Sequence, residues 1–454
     1  MSTAMESADS KHSRAISRSS RPRSSTRGPL DEFKDPLGSA DVNESSASFV
    51  QGAAQIGIYS GHSLTALDPL APNELPPGIE KDLSYLVRYD VYHSLSQIDI
   101  PPPLRSEFIT PAPDELLSSS LGKVEKLLAE GHFLLAAYLC GTILTSRSLS
   151  PTDTKLIFGL FYARLACLEL SGNAILAAQE SKALEDLTSA FYYVEFNKDA
   201  SAKEPPQKLS VHARHIVPWP LRVLAVRLQS IGFGDSRRGI GGLYELGLEA
   251  RREIMRTDLT QSEREIWRDR LTDLGIRSVN ALIEMGDLDA ARRSLHSLKL
   301  SDSKAAINKS RKVLLFLMIG DLDAAKKVYE EAGVPNQSIL KPLLSMAEGQ
   351  YNDAVAEWRA LLENGEEEND KALISQNLAV CLLYTGQLNE ARQILESLVG
   401  SNHSFGSLLF NLSTVYELCS DKAGILKTSL AESVAKQPIS GDLNLDRPSA
   451  DFKL

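Results

Sequence analysis

One short pattern constrains the fold of this chain more than any other feature. A glycine is followed by a polar or small residue, and five positions after the glycine stands an alanine. The pattern occurs at Gly131 and Ala136, Gly172 and Ala177, Gly286 and Ala291, Gly320 and Ala325, Gly349 and Ala354, and Gly386 and Ala391. A degenerate copy, Gly234 to Gly239, has glycine in place of the alanine. Each copy follows an apolar run with helical spacing, such as Asn377 to Thr385. Glycine ends such a helix by entering the left-handed region without a Cβ clash. Asp or Asn after it suits the start of the next helix. The alanine then sits where two antiparallel helices approach, and a larger side chain there overpacks at a cost of roughly 1–3 kcal/mol.

Gly286 and Gly320 lie 34 residues apart. A helix–turn–helix unit at that period resembles the tetratricopeptide repeat. Asn411, Leu412 and Tyr416 repeat Asn377, Leu378 and Leu382 at the same offset and predict a last unit with a decayed turn at Ser420-Asp421. The glycine steps are otherwise irregular, at 41, 62, 52, 34, 29 and 37 residues. The longest step holds a polar excursion over Asn197 to Ser210. The expected fold is all-α, a tetratricopeptide-like helical-hairpin solenoid with a disordered N-terminal tail. Residues 114–436 are expected to form about eight helix pairs. Residues 81–113 read as a short helix and a Pro-rich connector, and 437–454 as a polar C-terminal tail.

Residues 1–80 read as a disordered basic Ser/Arg-rich tail, because a stretch poor in large apolar side chains cannot offset its chain entropy. The chain of 454 residues has a net charge of −10, but residues 1–30 alone carry +4, which leaves −14 on the rest. Ser17 and Ser24 each follow an arginine by three residues, a spacing basophilic kinases prefer, although a solvated tail explains the segment without them. The acidic balance argues against a nucleic-acid partner, which needs clustered Lys and Arg. No secretory leader is evident, and the most apolar runs fall short of the ~20 residues that span a bilayer. Any membrane association is therefore expected to be peripheral.

Nothing in the sequence carries catalysis. There is no phosphate-binding glycine loop and no His-Glu-x-x-His, and the cluster from Gly232 to Gly242 lacks a preceding strand. His212 and His215 are three apart, but without companion ligands they read as exposed polar residues closing the excursion. Cys140, Cys167, Cys381 and Cys419 lie in apolar helical runs and read as small buried hydrophobes. The acidic run Glu363 to Asp370 reads as a solvated loop between helices. Trp219 and Trp267 read as core residues before they read as anchors for a partner. The Lys and Asn pattern by which some co-chaperone repeats clamp a C-terminal carboxylate is absent, since Ile339, Leu343, Ser310 and Leu314 stand where it is needed. No catalytic, cofactor-binding or metal-binding residue is expected, and the partner-binding residues are not legible.

Four segments carry a closer resemblance. They are Val217 to Leu224 (VPWPLRVL), Ile266 to Leu271 (IWRDRL), Gln376 to Gly386 (QNLAVCLLYTG) and Leu409 to Leu418 (LFNLSTVYEL). In this order they resemble the repeat domain of the subunit 12 family of the trafficking protein particle (TRAPP) complex, over roughly residues 115–436. The resemblance implies a non-catalytic scaffold in a tethering complex that acts as a guanine-nucleotide exchange factor for a Rab GTPase. It further implies a role in ER-to-Golgi transport and autophagy, with exchange performed by other subunits. The implied partners are the other TRAPP subunits and, through them, the Rab. The implied location is cytoplasmic, at early secretory and Golgi membranes. A repeat adaptor for a chaperone, motor or cell-cycle assembly is the competing expectation.

Overall fold

The computed structural model describes residues 67–72, 75, 80–95, 116–196, 212–299, 305–332, 339–364 and 368–437. The kinase-type sites at Ser17 and Ser24, the prolines from 101 to 113, the polar excursion and the tail from 438 onward lie outside them. The described residues hold sixteen α-helices in sequential antiparallel pairs and one two-stranded ladder. The fold is a tetratricopeptide-like helical-hairpin solenoid.

The first two pairs are α1 (Leu117–Ala129) with α2 (Phe133–Leu144), and α3 (Thr154–Leu170) with α4 (Ala174–Ser181). After them come β1 (Tyr193–Phe196) and β2 (His212–His215). The middle pairs are α5 (Trp219–Phe233) with α6 (Ser236–Ile254), and α7 (Gln261–Glu284) with α8 (Leu288–Ser297). Then follow α9 (Ala305–Ile319) with α10 (Leu322–Ala332), and α11 (Leu340–Ala347) with α12 (Tyr351–Asn364). The last pairs are α13 (Glu368–Tyr384) with α14 (Leu388–Gly400), and α15 (Gly406–Cys419) with α16 (Ala423–Ala435).

Helix starts follow local chemistry. Asp153, Asp235 and Asp287 each accept a backbone N–H of the first turn of the helix that follows. Thr260 and Glu263 form a reciprocal capping box at the head of α7. The buried side chains fall into four clusters arranged in series along the chain. Helix α3 is buried on nearly every side and lies at the centre of the first cluster.

The antiparallel ladder pairs Tyr193 with His215 and Phe196 with His212. It closes the neck of the polar excursion, which periodicity alone does not reveal in two four-residue strands. His215 is not the exposed residue expected from sequence. Its ring stacks on Tyr192 at 5.8 Å, its Nε2 meets the Leu187 carbonyl at 2.9 Å, and its Nδ1 accepts the Val217 N–H at 3.0 Å. Both ring nitrogens are thus engaged.

The region before α1 also departs from expectation. Residues 80–95 form turns and a single 3-10 turn at Tyr89–Val91, not an α-helix. Leu83 and Leu86 are fully buried in the first core, so the segment acts as a strap across α3 and α4. Its anchor is the ion pair of Arg164 and Glu180, with side chains only 2% and 0% exposed. Arg164 donates to both Glu180 oxygens at 2.6 and 2.7 Å, to the Ala137 carbonyl at 2.9 Å, and to the His93 carbonyl at 2.9 Å. Glu180 in turn accepts the His93 N–H at 2.8 Å. The Tyr92 ring covers the guanidinium at 5.0 Å. Room for this arrangement comes from Gly141, where a Cβ would lie 2.3 Å from Arg164 Nη1.

Residues 67–72, inside the segment expected to be a disordered tail, are held against the solenoid. Asp68 accepts the Trp219 N–H at 2.9 Å and the Leu70 N–H at 2.8 Å, and it pairs with Arg270. Leu67 is buried beside the strap. A composition argument averages over a long tail and does not register one aspartate that finds a buried cation.

Removing one partner of a buried, hydrogen-bonded ion pair leaves an uncompensated charge. Glu180→Ala is therefore expected to cost about 3–5 kcal/mol, read by denaturant unfolding. A loss below about 1 kcal/mol would show that the pair does not anchor the strap.

Candidate interaction surface

The repeat-signature residues lie in the turns and at the hairpin contacts. Gly131, Gly172, Gly286, Gly320, Gly349 and Gly386 all have φ between 75° and 84°. The turn at Gly286 shows why. The Gly286 N–H donates to the Ile283 carbonyl at 2.9 Å and the Asp287 N–H to the Leu282 carbonyl at 3.0 Å, which satisfies the last carbonyls of α7. At the next unit the Gly320 and Asp321 amides make the same two bonds, to Leu317 and Phe316. Ala136, Ala177, Ala291, Ala325, Ala354 and Ala391 are each 0% exposed. The degenerate copy at Gly234 also turns through positive φ, at 63°.

With the turns fixed, positions counted back from each glycine fall on equivalent faces of the first helix of each pair. Two residues before the turn stand Met318 on α9, Tyr384 on α13 and Leu418 on α15, all exposed. Thirteen before stand Ile307 on α9 and Leu373 on α13, also exposed. The spacing from Ile307 to Met318 and from Leu373 to Tyr384 is three helical turns, so each pair shares one face. On α7 the equivalent positions are Asp273 and Glu284, which pair with Arg277 at 2.6 Å and Arg227 at 3.4 Å. The face therefore changes from ion-paired at α7 to apolar at both positions on α9 and α13. Exposed apolar residues repeated at matched helix positions are what a partner-binding surface of a solenoid requires.

The tryptophans serve the core. Trp219 and Trp267 meet edge to face at 5.3 Å, and the Arg270 guanidinium lies 4.9 and 4.5 Å from their ring centres. Burial draws the Arg270 guanidinium below its ordinary value, and Asp68 opposes that shift. Burial likewise pushes the Cys140 thiol up to about 12 and the Cys381 thiol up to about 11, away from the thiolate a nucleophile needs. Among the described residues no group of three or more His, Cys, Asp or Glu is placed to hold a metal ion. None of the described helices is long and apolar enough to cross a membrane.

Comparison with known proteins follows the same outline. Residues 345–409, from α11 to the first turn of α15, match the family model of the tetratricopeptide repeat. Over 357 residues, 71% of this chain and 47% of the relative, the sequence is 26% identical to trafficking protein particle complex subunit 12 of Homo sapiens. The chain is similar to TRAPP subunit 12. The Mus musculus protein of the same name is 25% identical over 349 residues, 69% of this chain and 42% of the relative. The chain spans about half the length of these curated relatives. No solved structure gives a match.

Two outcomes test this reading. The Cβ of Ala325 is enclosed, so Ala325→Leu is expected to destabilise the protein by about 1–3 kcal/mol, measured by thermal unfolding. His215 provides a pH test. Burial, aided by Arg222, lowers its value from 6.5 to about 4. Its contribution is complete above pH 6.5 and is lost as pH falls toward 4, because the unfolded imidazole takes up its proton first. The unfolding midpoint should fall over that window, and His215→Gln should flatten the slope.

Proposed function

We propose that this chain is a non-catalytic scaffold subunit of a TRAPP-type vesicle-tethering complex. The observation that carries the reading is the similarity to subunit 12 over about 70% of the chain, joined to a repeated apolar face on the first helices of its C-terminal half. A solenoid binds by shape and by a few anchor side chains, with no step of covalent chemistry. Met318, Tyr384 and Leu418 are the anchors proposed for the face beyond α7. Their partners are other subunits of the complex, and contact with a Rab GTPase is indirect, through the subunits that perform nucleotide exchange. The proposed setting is the cytoplasmic face of early secretory and Golgi membranes, in ER-to-Golgi transport and autophagy. Membrane association is peripheral and passes through the complex.

Affinity purification of the tagged full chain under mild lysis tests this. The expected result is recovery of TRAPP subunits at fixed stoichiometry. The double variant Met318→Asp and Leu418→Asp is expected to keep its unfolding midpoint and to lose at least one of them. Recovery of the wild-type chain alone, or with chaperones or motor proteins in place of tethering subunits, contradicts the proposal.

A further inference from the structure

Helix α6 is the second helix of its pair and lies outside the face described above. Its inner side packs on α5 and α7 through Ile240, Leu243, Leu246 and Ala250. Its outer side is unusual for a solvated helix. Tyr244 is 50% exposed, Leu248 49% and Met255, at the C-cap, 81%. With Arg237, Gly241 and Arg251 they fall at helical spacings within one stripe. Arg237 and Arg238 stand at one end and Arg251 and Arg252 at the other, about 21 Å away along the axis. All four are exposed, and among the described residues none has a carboxylate within ion-pair distance. Arg238 instead lies over the exposed Phe233 ring at 4.0 Å. The neighbouring acids are spoken for, with Glu249 paired to Arg222 and Glu253 to Arg256, which leaves Glu245 at the edge of the stripe.

The glycines of α6 sharpen the point. Gly239 and Gly242 have an internal reason to lack a side chain, because a Cβ would lie 2.6 Å from Ser230 and 2.8 Å from Val226 of α5. Gly241 has none. A Cβ there meets nothing within 4 Å, and the residue sits exposed in mid-helix, where glycine weakens the helix. The missing side chain leaves a notch between Arg237 and Tyr244, at the N-terminal end of the apolar stripe.

We infer that the outer face of α6 is a docking site for a helix of a partner protein, with an apolar ridge flanked by Asp and Glu. The ridge seats on Tyr244, Leu248 and Met255, a small or protruding side chain enters the notch at Gly241, and the carboxylates pair with the arginines at either end. Tyr, Met and Arg are the side chains enriched at such interfaces. An anionic membrane is disfavoured because a fluid bilayer gains nothing from a notch of fixed position. The site stands on its own observations and does not require the tethering reading.

The test is site-specific photo-crosslinking in cells. The full chain carries benzoylphenylalanine in place of Tyr244 or, as a control, in place of Tyr89, which is 84% exposed and distant in sequence. Position 244 alone should crosslink to one partner chain, within a helical segment richer in Asp and Glu than in Lys and Arg. Two variants should each reduce that crosslink by about tenfold or more, the change that a loss of 1.4 kcal/mol produces. One is the fourfold reversal Arg237→Glu, Arg238→Glu, Arg251→Glu and Arg252→Glu. The other is Gly241→Leu, which fills the notch with a strong helix former and should not lower the unfolding midpoint. Should the reversal unfold the chain, Gly241→Leu decides. A product equal to the Tyr89 control, a basic crosslinked segment, or a crosslink that survives Gly241→Leu overturns the inference. So does flotation of the purified chain with phosphatidylcholine–phosphatidylserine vesicles that the reversal abolishes. The two readings separate cleanly. A crosslinked partner outside the tethering complex leaves this site standing while the tethering proposal fails, and recovery of tethering subunits without the crosslink does the reverse.

Discussion

Everything in this molecule depends on how closely two antiparallel helices approach after a tight turn. A glycine with φ near 80° reverses the chain, and an alanine five residues on removes the bulk that would hold the helices apart. The amides of each turn glycine and of the residue after it bond to carbonyls of the first helix, so the reversal keeps those carbonyls paired. No hairpin of this kind buries its apolar face alone. Stacking supplies the missing cover, and the four cores in series are the result. Function follows from the same geometry. A stack of hairpins repeats its outward-facing positions at matched places, which turns single exposed residues such as Met318, Tyr384 and Leu418 into a surface.

The N-terminal half is held differently. Its turns at Gly131 and Gly172 obey the same rule, but its first core is completed by a strap that is not part of any hairpin. The strap contributes Leu83 and Leu86 and hands its backbone at His93 to the Arg164–Glu180 pair. Asp68 does the same for Arg270 beside the paired tryptophans. In both places the solenoid buries an arginine that needs a partner from the chain's N-terminal region. Each cation is a specificity device, because the segment that fits must bring either a free carbonyl or a carboxylate to one point.

The hairpin architecture was legible because its signal is local and repeated. A glycine turn and an alanine contact involve residues five apart, and six copies made chance agreement improbable. The strap, the strand pair and the seat of Asp68 were not legible because each depends on residues brought together over long separations. His93 and Arg164 are 71 apart in sequence, and Asp68 and Arg270 are 202 apart. The two strands hold four residues each, too few for alternation to stand out, and His215 reads as polar in sequence although its ring is stacked and bonded in the fold. The α6 stripe was hidden for another reason. Its apolar residues look like any amphipathic helix until the structure shows that the same helix already buries a second apolar side.

The central claim is that each hairpin answers mainly to its neighbours through the enclosed alanine. Hydrogen exchange on an Ala391→Leu variant, read by peptide mass spectrometry, tests it most directly. The account predicts that protection falls across α12 to α16 and is unchanged in α1 to α4, where the first core and its strap are separate. A uniform loss of protection along the whole chain would contradict it.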